Sequence, residues 1–122
     1  MTRRSCYVAV FGLIVALIGC GKINLTVEMH GSSQAIAQTS IKIFRDGAIH
    51  ASYTGEQLWY EAGAPSGSYF VRAFYAGDSS TSPTLEVKPP GLFQNREARF
   101  DVTLPGQLLR APFGGITATE SQ

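Results

Sequence analysis

The side chains able to do bond chemistry in this 122-residue chain are few and widely spaced. Its two cysteines are Cys6 and Cys20, its two histidines His30 and His50, and its nine carboxylates are scattered from Glu28 to Glu120. A thiol nucleophile needs a histidine base brought beside it, and a structural zinc site needs several thiolates or imidazoles at ligand spacing. No cysteine follows Cys20, and His30 and His50 fall in no metal-ligand pattern. Both histidines read as solvated loop or strand-end residues. No glycine-rich phosphate loop is present. The expectation is a protein that is not an enzyme, with no catalytic residue, no metal and no cofactor.

Charge narrows the partners. The chain carries 10 Lys and Arg against 9 Asp and Glu. The cations Lys22, Lys42, Arg45, Arg72, Lys88, Arg96, Arg99 and Arg110 are dispersed rather than gathered into the stripe that phosphate contacts require. Nucleic acid is not an expected partner.

The first residues have an organisation of their own. Met1-Thr2-Arg3-Arg4 is a positive segment, Tyr7 to Ile18 an apolar run, and Gly19-Cys20-Gly21 a small-residue exit. That is the architecture of a cleaved secretory leader. The run is shorter than the ~18 residues needed to span a bilayer as a helix, and Gly19 and Gly21 oppose its extension. The division expected is a signal peptide over 1–19, a folded domain over 20–105 and an irregular tail over 106–122.

The residues Leu17-Ile18-Gly19-Cys20 resemble the bacterial lipobox at all four positions. The resemblance implies a diacylglyceryl group on the Cys20 sulfur, cleavage before Cys20 and acylation of its new amino group. One acyl chain holds a protein to a membrane only marginally, at about 0.8 kcal/mol per buried methylene, whereas two or three hold it stably. Gly21 stands where, in bacteria with two membranes, an Asp favours retention in the inner one. The resemblance therefore implies a lipid-anchored protein of the bacterial cell envelope, at the outer membrane.

From Lys22 onward the apolar period is two. Ile23, Leu25, Val27 and Met29 alternate with Asn24, Thr26 and Glu28, and Ile41 and Ile43 flank Lys42 before an Asp46-Gly47 turn signal. Short strands are expected at Ile49 to Tyr53, Gln57 to Glu61, Pro83 to Val87 and Glu97 to Leu104, with the strongest at Ser68 to Ala76. Gly77 to Pro83 reads as an exit loop, and no stretch reads as a helix. About seven short strands predict an all-β, antiparallel immunoglobulin-like (prealbumin-like) sandwich.

Ile41 to Gly47, Pro65 to Ala73 and Leu85 to Val87 resemble the transthyretin-like, carboxypeptidase-regulatory-like sandwich superfamily, in which Gly-x-Tyr-x-Val, here Gly67, Tyr69 and Val71, opens an aromatic strand with Tyr and Val inward. The resemblance covers roughly residues 23 to 104, implies an accessory or binding module, and transfers no functional residue. It implies that Phe70, Arg72 and Phe74 face outward as a candidate binding surface, which Trp59 or Tyr60 would extend. Two readings stay open: recognition by this face, or burial of Phe70 and Phe74 under the tail around Leu108 to Phe113. The expected partners are the membrane, through lipid on Cys20, and a neighbouring envelope protein; the alternative is a glycan held by the aromatic face.

Overall fold

The computed structural model describes residues 21–91, 94–104 and 115–121. The leader, Cys20, and the segment around Leu108 to Phe113 lie outside the described residues. Among the described residues nine strands and one short helix build two packed sheets, an all-β sandwich. In chain order they are β1 (Ile23–His30), α1 (Ser33–Ala37), β2 (Ser40–Arg45), β3 (Ala48–Thr54), β4 (Leu58–Ala62), β5 (Gly67–Tyr75), β6 (Asp78–Thr81), β7 (Leu85–Val87), β8 (Arg96–Thr103) and β9 (Gly115–Ser121).

The first sheet runs β4-β1-β8-β9; the second runs β3-β2-β5-β6, with β7 also paired to β5. Alternation along each strand sends one set of side chains inward. β1 contributes Ile23, Leu25, Val27 and Met29, β8 contributes Ala98, Phe100 and Val102, and they meet Ile41, Ile43, Tyr69, Val71 and Ala73 from the second sheet. Ile36 on α1 and Leu104 belong to the same cluster.

Three expectations from the sequence need correction. The pairing is not wholly antiparallel: β1 runs parallel to β8 from Ile23 against Arg96 to His30 against Thr103. The expected exit loop after the aromatic strand contains β6, which pairs back on β5 through a turn at Ala76 and Gly77, both at positive φ like Asp46 and Gly47 in the β2–β3 turn. The tail is not irregular throughout, because Gly115–Ser121 forms β9 on the edge of the first sheet, antiparallel to β8. Only Ile116 on β9 is fully buried, so this strand carries too little apolar alternation to stand out in a sequence.

The helix is a further addition. Ser32 caps it, its Oγ accepting from the Ala35 amide at 3.1 Å, and the Thr39 hydroxyl donates to the Ala35 carbonyl at 2.7 Å. Five residues give no periodicity to read, and the helix exists because Ala35 and Ile36 pack into the core.

The Arg45 side chain passes so close to Gly67 that a β-carbon there would lie 2.9 Å from Nε, which donates to the Ser66 carbonyl at 2.8 Å. Two residues on, the Tyr69 ring is buried and its hydroxyl donates to the Pro65 carbonyl at 2.5 Å.

Burial, reinforced by the charges of Glu61 and Asp46 and opposed by that of Arg45, pushes the Tyr69 hydroxyl up from 10.0 to about 12. The unfolded chain releases this proton near pH 10 while the folded chain keeps it, so stability is full below pH 10 and falls as pH rises toward 12. Tyr69→Phe should cost about 1 kcal/mol at neutral pH through the lost hydrogen bond. In urea melts at successive pH values, its stability should decline less than the parent's over that alkaline window.

Candidate functional site

The sequence placed recognition on the aromatic strand, and β5 does divide as the alternation requires. Tyr69, Val71 and Ala73 are fully buried, while Phe70, Arg72 and Phe74 lie half-buried on the outer face of the second sheet. Strand pairing completes that face in rows. Ile49, Phe44 and Phe70 sit side by side across β3, β2 and β5; next come Ser52, Lys42, Arg72 and Thr81; then Thr54, Ser40, Phe74 and Ser79.

The first row is apolar. The Phe44 and Phe70 rings stack at 4.6 Å with 9° between their planes, and Ile49 beside them is 58% exposed. The second row is cationic: Lys42 and Arg72 are direct cross-strand partners. Like charges in that relation repel. Each cation leans on a ring, Arg72 over Phe44 at 5.9 Å and Lys42 over Phe74 at 5.5 Å, and Arg72 Nε donates to the Thr81 hydroxyl at 3.0 Å. Neither forms an ion pair among the described residues. Glu86 on β7, in register with Ser68 on this face, accepts from the Ser68 hydroxyl at 2.9 Å.

Trp59 is not on this face. It lies on β4 in the other sheet, paired with Val27, and its ring stacks inward on Tyr53 at 6.3 Å and 7° where the two sheets meet at β3 and β4. Tyr60, its neighbour, is 56% exposed on the outer face of the first sheet. Trp59 faces the interior and Tyr60 the far side of the sandwich, so neither extends the aromatic face. The Tyr53 hydroxyl is buried without a partner among the described residues, and burial with the nearby Glu56 charge pushes it above the ordinary tyrosine range.

The histidines are also repositioned. His50 is not a solvated residue: β3 bulges between its Ile43 and Phe44 partners, and the ring turns inward. There it is hydrogen-bonded to Glu61 of β4 at 2.7 Å and meets the Tyr69 ring edge-on at 5.6 Å. This pair ties the two sheets together. His30, at the end of β1, remains exposed.

Parallel pairing of β1 with β8 assembles a group that no residue spacing foretold. Glu28, His30 and Asp101 bring ligand-type atoms within 4.8 Å of one another on the outer face of the first sheet. Their residue types suit a cation, but Arg99 already fills that role, pairing with Glu28 and with Asp101 at 3.1 Å, while His30 contacts Asp101 at 2.9 Å. Partial burial acts to raise the Asp101 carboxyl, but hydrogen bonds from His30 and Arg99 and their charges outweigh it and hold the carboxyl below its ordinary value. A divalent ion would have to expel the guanidinium. The group is a surface ion network rather than a metal cage.

Two measurements separate recognition from packing on the second sheet. Phe70→Ala should cost about 1–2 kcal/mol, mainly the ring stack, while the core substitution Phe100→Ala should cost about 3–5 kcal/mol in the same urea titration. Lys42→Gln and Lys42→Glu both lose the contact with Phe74, but only the glutamate attracts Arg72. The Glu variant should be the more stable of the two by about 0.5 kcal/mol, a difference that 1 M salt removes.

Comparison of the chain with protein-family models and with curated proteins finds no match, so its function is argued from these residues and their geometry.

Proposed function

We propose that this chain is a non-enzymatic lipoprotein of the bacterial cell envelope, anchored by lipid on Cys20, whose sandwich serves as an accessory docking module for a neighbouring protein. The observation that carries the reading is the run Leu17-Ile18-Gly19-Cys20 at the end of a positive and apolar leader. Gly21 after the cysteine favours the outer membrane. Among the described residues no helix is long and apolar enough to cross a membrane, and acyl chains on Cys20 supply the attachment instead.

The tether is short. Gly21 and Lys22 alone separate Cys20 from β1, and Lys22 is tied to the start of β8: its amide donates to Asn95 Oδ1 at 3.0 Å and its carbonyl accepts from the Arg96 amide at 2.8 Å. Lipid on Cys20 would therefore hold the end of the sandwich at which β1 and β8 begin against the bilayer. A domain held so close docks partners that reach the same surface. The resemblance of Gly67, Tyr69 and Val71 to the Gly-x-Tyr-x-Val strand of transthyretin-like modules supports an accessory role, and no catalytic function is assigned to it.

Cys20→Ser tests the anchor. The parent chain should incorporate labelled palmitate and sediment with membranes. The variant should do neither and should accumulate with its leader uncut or in the soluble fraction. A Cys20→Ser protein that stayed acylated and membrane-bound would end the lipoprotein reading.

A further inference from the structure

The outer face of the five-stranded sheet carries an electrostatic arrangement that the fold does not need. Lys42 and Arg72 lie directly opposite each other on the two central strands, with hydroxyl residues Ser52 and Thr81 on either side and no carboxylate paired to them among the described residues. On the outer face of the opposite sheet, by contrast, Arg99 is compensated by Glu28 and Asp101. Two uncompensated like charges side by side raise the energy of the free domain, and an anion placed between them lowers it. The row above, Ile49, Phe44 and Phe70, offers an apolar strip one side-chain row away.

We propose that this face docks a protein segment carrying a carboxylate and an apolar side chain, the carboxylate bridging Lys42 and Arg72 and the apolar group lying on Ile49, Phe44 and Phe70. The proposal rests on reading the sandwich as a docking module and names the chemistry of its partner. Phe44 and Lys42, like Phe70 and Arg72, are two residues apart on their strands, which sets the rows about 7 Å apart. An extended partner segment matches that separation when its apolar and acidic residues are themselves two apart.

A sugar fits less well. Stacking a pyranose needs a free ring face, and Phe44 and Phe70 each give one face to the other, with Arg72 over Phe44 and Lys42 over Phe74. What the Phe44–Phe70 stack turns outward is ring edge, which carries partial positive charge and adds to the attraction for a carboxylate.

The test uses the purified full chain in detergent and fluorescein-labelled twelve-residue peptides that differ only in the spacing of one leucine and one glutamate in a serine and threonine background. Anisotropy should show the tightest binding at a spacing of two. Lys42→Glu and Arg72→Gln should each weaken it at least tenfold, and Ile49→Ser about threefold. Thermal melts of each variant confirm folding, and Lys42→Gln, which removes the charge without reversing it, should weaken binding to an intermediate degree.

Binding that ignores spacing, or that survives Lys42→Glu in a folded protein, overturns the proposal. So does preferential binding to polygalacturonate, which would give the face to an acidic glycan, or to vesicles of phosphatidylcholine and phosphatidylglycerol, which would give it to the lipid surface. A photocrosslinker placed in cells at Tyr60, on the opposite sheet, keeps the two readings apart. A specific protein neighbour captured there, with no peptide binding, would sink this face and leave the docking module standing.

Discussion

The sandwich depends on the parallel pairing of β1 with β8. It joins strands more than seventy residues apart in sequence, over the full eight residues of each strand. On the inside this pairing sets Leu25, Val27 and Met29 beside Ala98, Phe100 and Val102, the centre of the buried cluster. It also makes β1 and β8 the two interior strands of their sheet, with β4 and β9 at the edges. Without it, the sheet divides into two separate strand pairs, β4 with β1 and β8 with β9, each too small to hold a core. A contact of this sequence separation closes only after much of the chain has been ordered, because loop-closure entropy must be offset before the strands reward it.

The two outer faces follow opposite electrostatic rules. On the first sheet the β1–β8 register places Glu28, His30, Arg99 and Asp101 so that each charge meets its opposite, which neutralises the surface and adds modest stability. On the second sheet the β2–β5 register sets Lys42 against Arg72 and stacks Phe44 on Phe70. The same strand geometry thus gives one satisfied face and one left with surplus positive charge beside apolar surface. Natural surfaces that retain such a combination commonly meet a partner, since aromatic and arginine side chains concentrate where interfaces form.

The proposed anchor and the proposed docking face occupy different layers of the fold. Cys20 leads through Gly21 and Lys22 into the first sheet, whereas the cationic and aromatic rows belong to the second. Within the proposed arrangement, lipid would hold the molecule by one layer and leave the outer surface of the other to meet a neighbour near the membrane. His50 and Glu61 join the two layers at the β3 and β4 edge.

Much of this was legible in the residues themselves. Period-two alternation marked β1, β2, β5 and β8, because burying one face of a strand forces every second residue to be apolar. The same rule put Tyr69 and Val71 on one face of β5 and Phe70, Arg72 and Phe74 on the other. Which of the two turned inward was implied only by the resemblance, and the lipobox residues carried their own chemical expectation. β9 and α1 were hidden because Ile116, or Ala35 and Ile36, are too few to make a pattern, and they take their form from contact with the rest of the core. Pairing partners were hidden for a different reason. Alternation says which face a side chain occupies but not which strand lies beside it, so Trp59 could not be assigned to the other sheet, nor His50 to the interior through a bulge. For the same reason Arg99 could not be matched to Glu28, nor Lys42 set against Arg72, until register was fixed. The local alternation of side chains determined the faces; only the tertiary pairing of distant strands decided which charges would be neighbours on them.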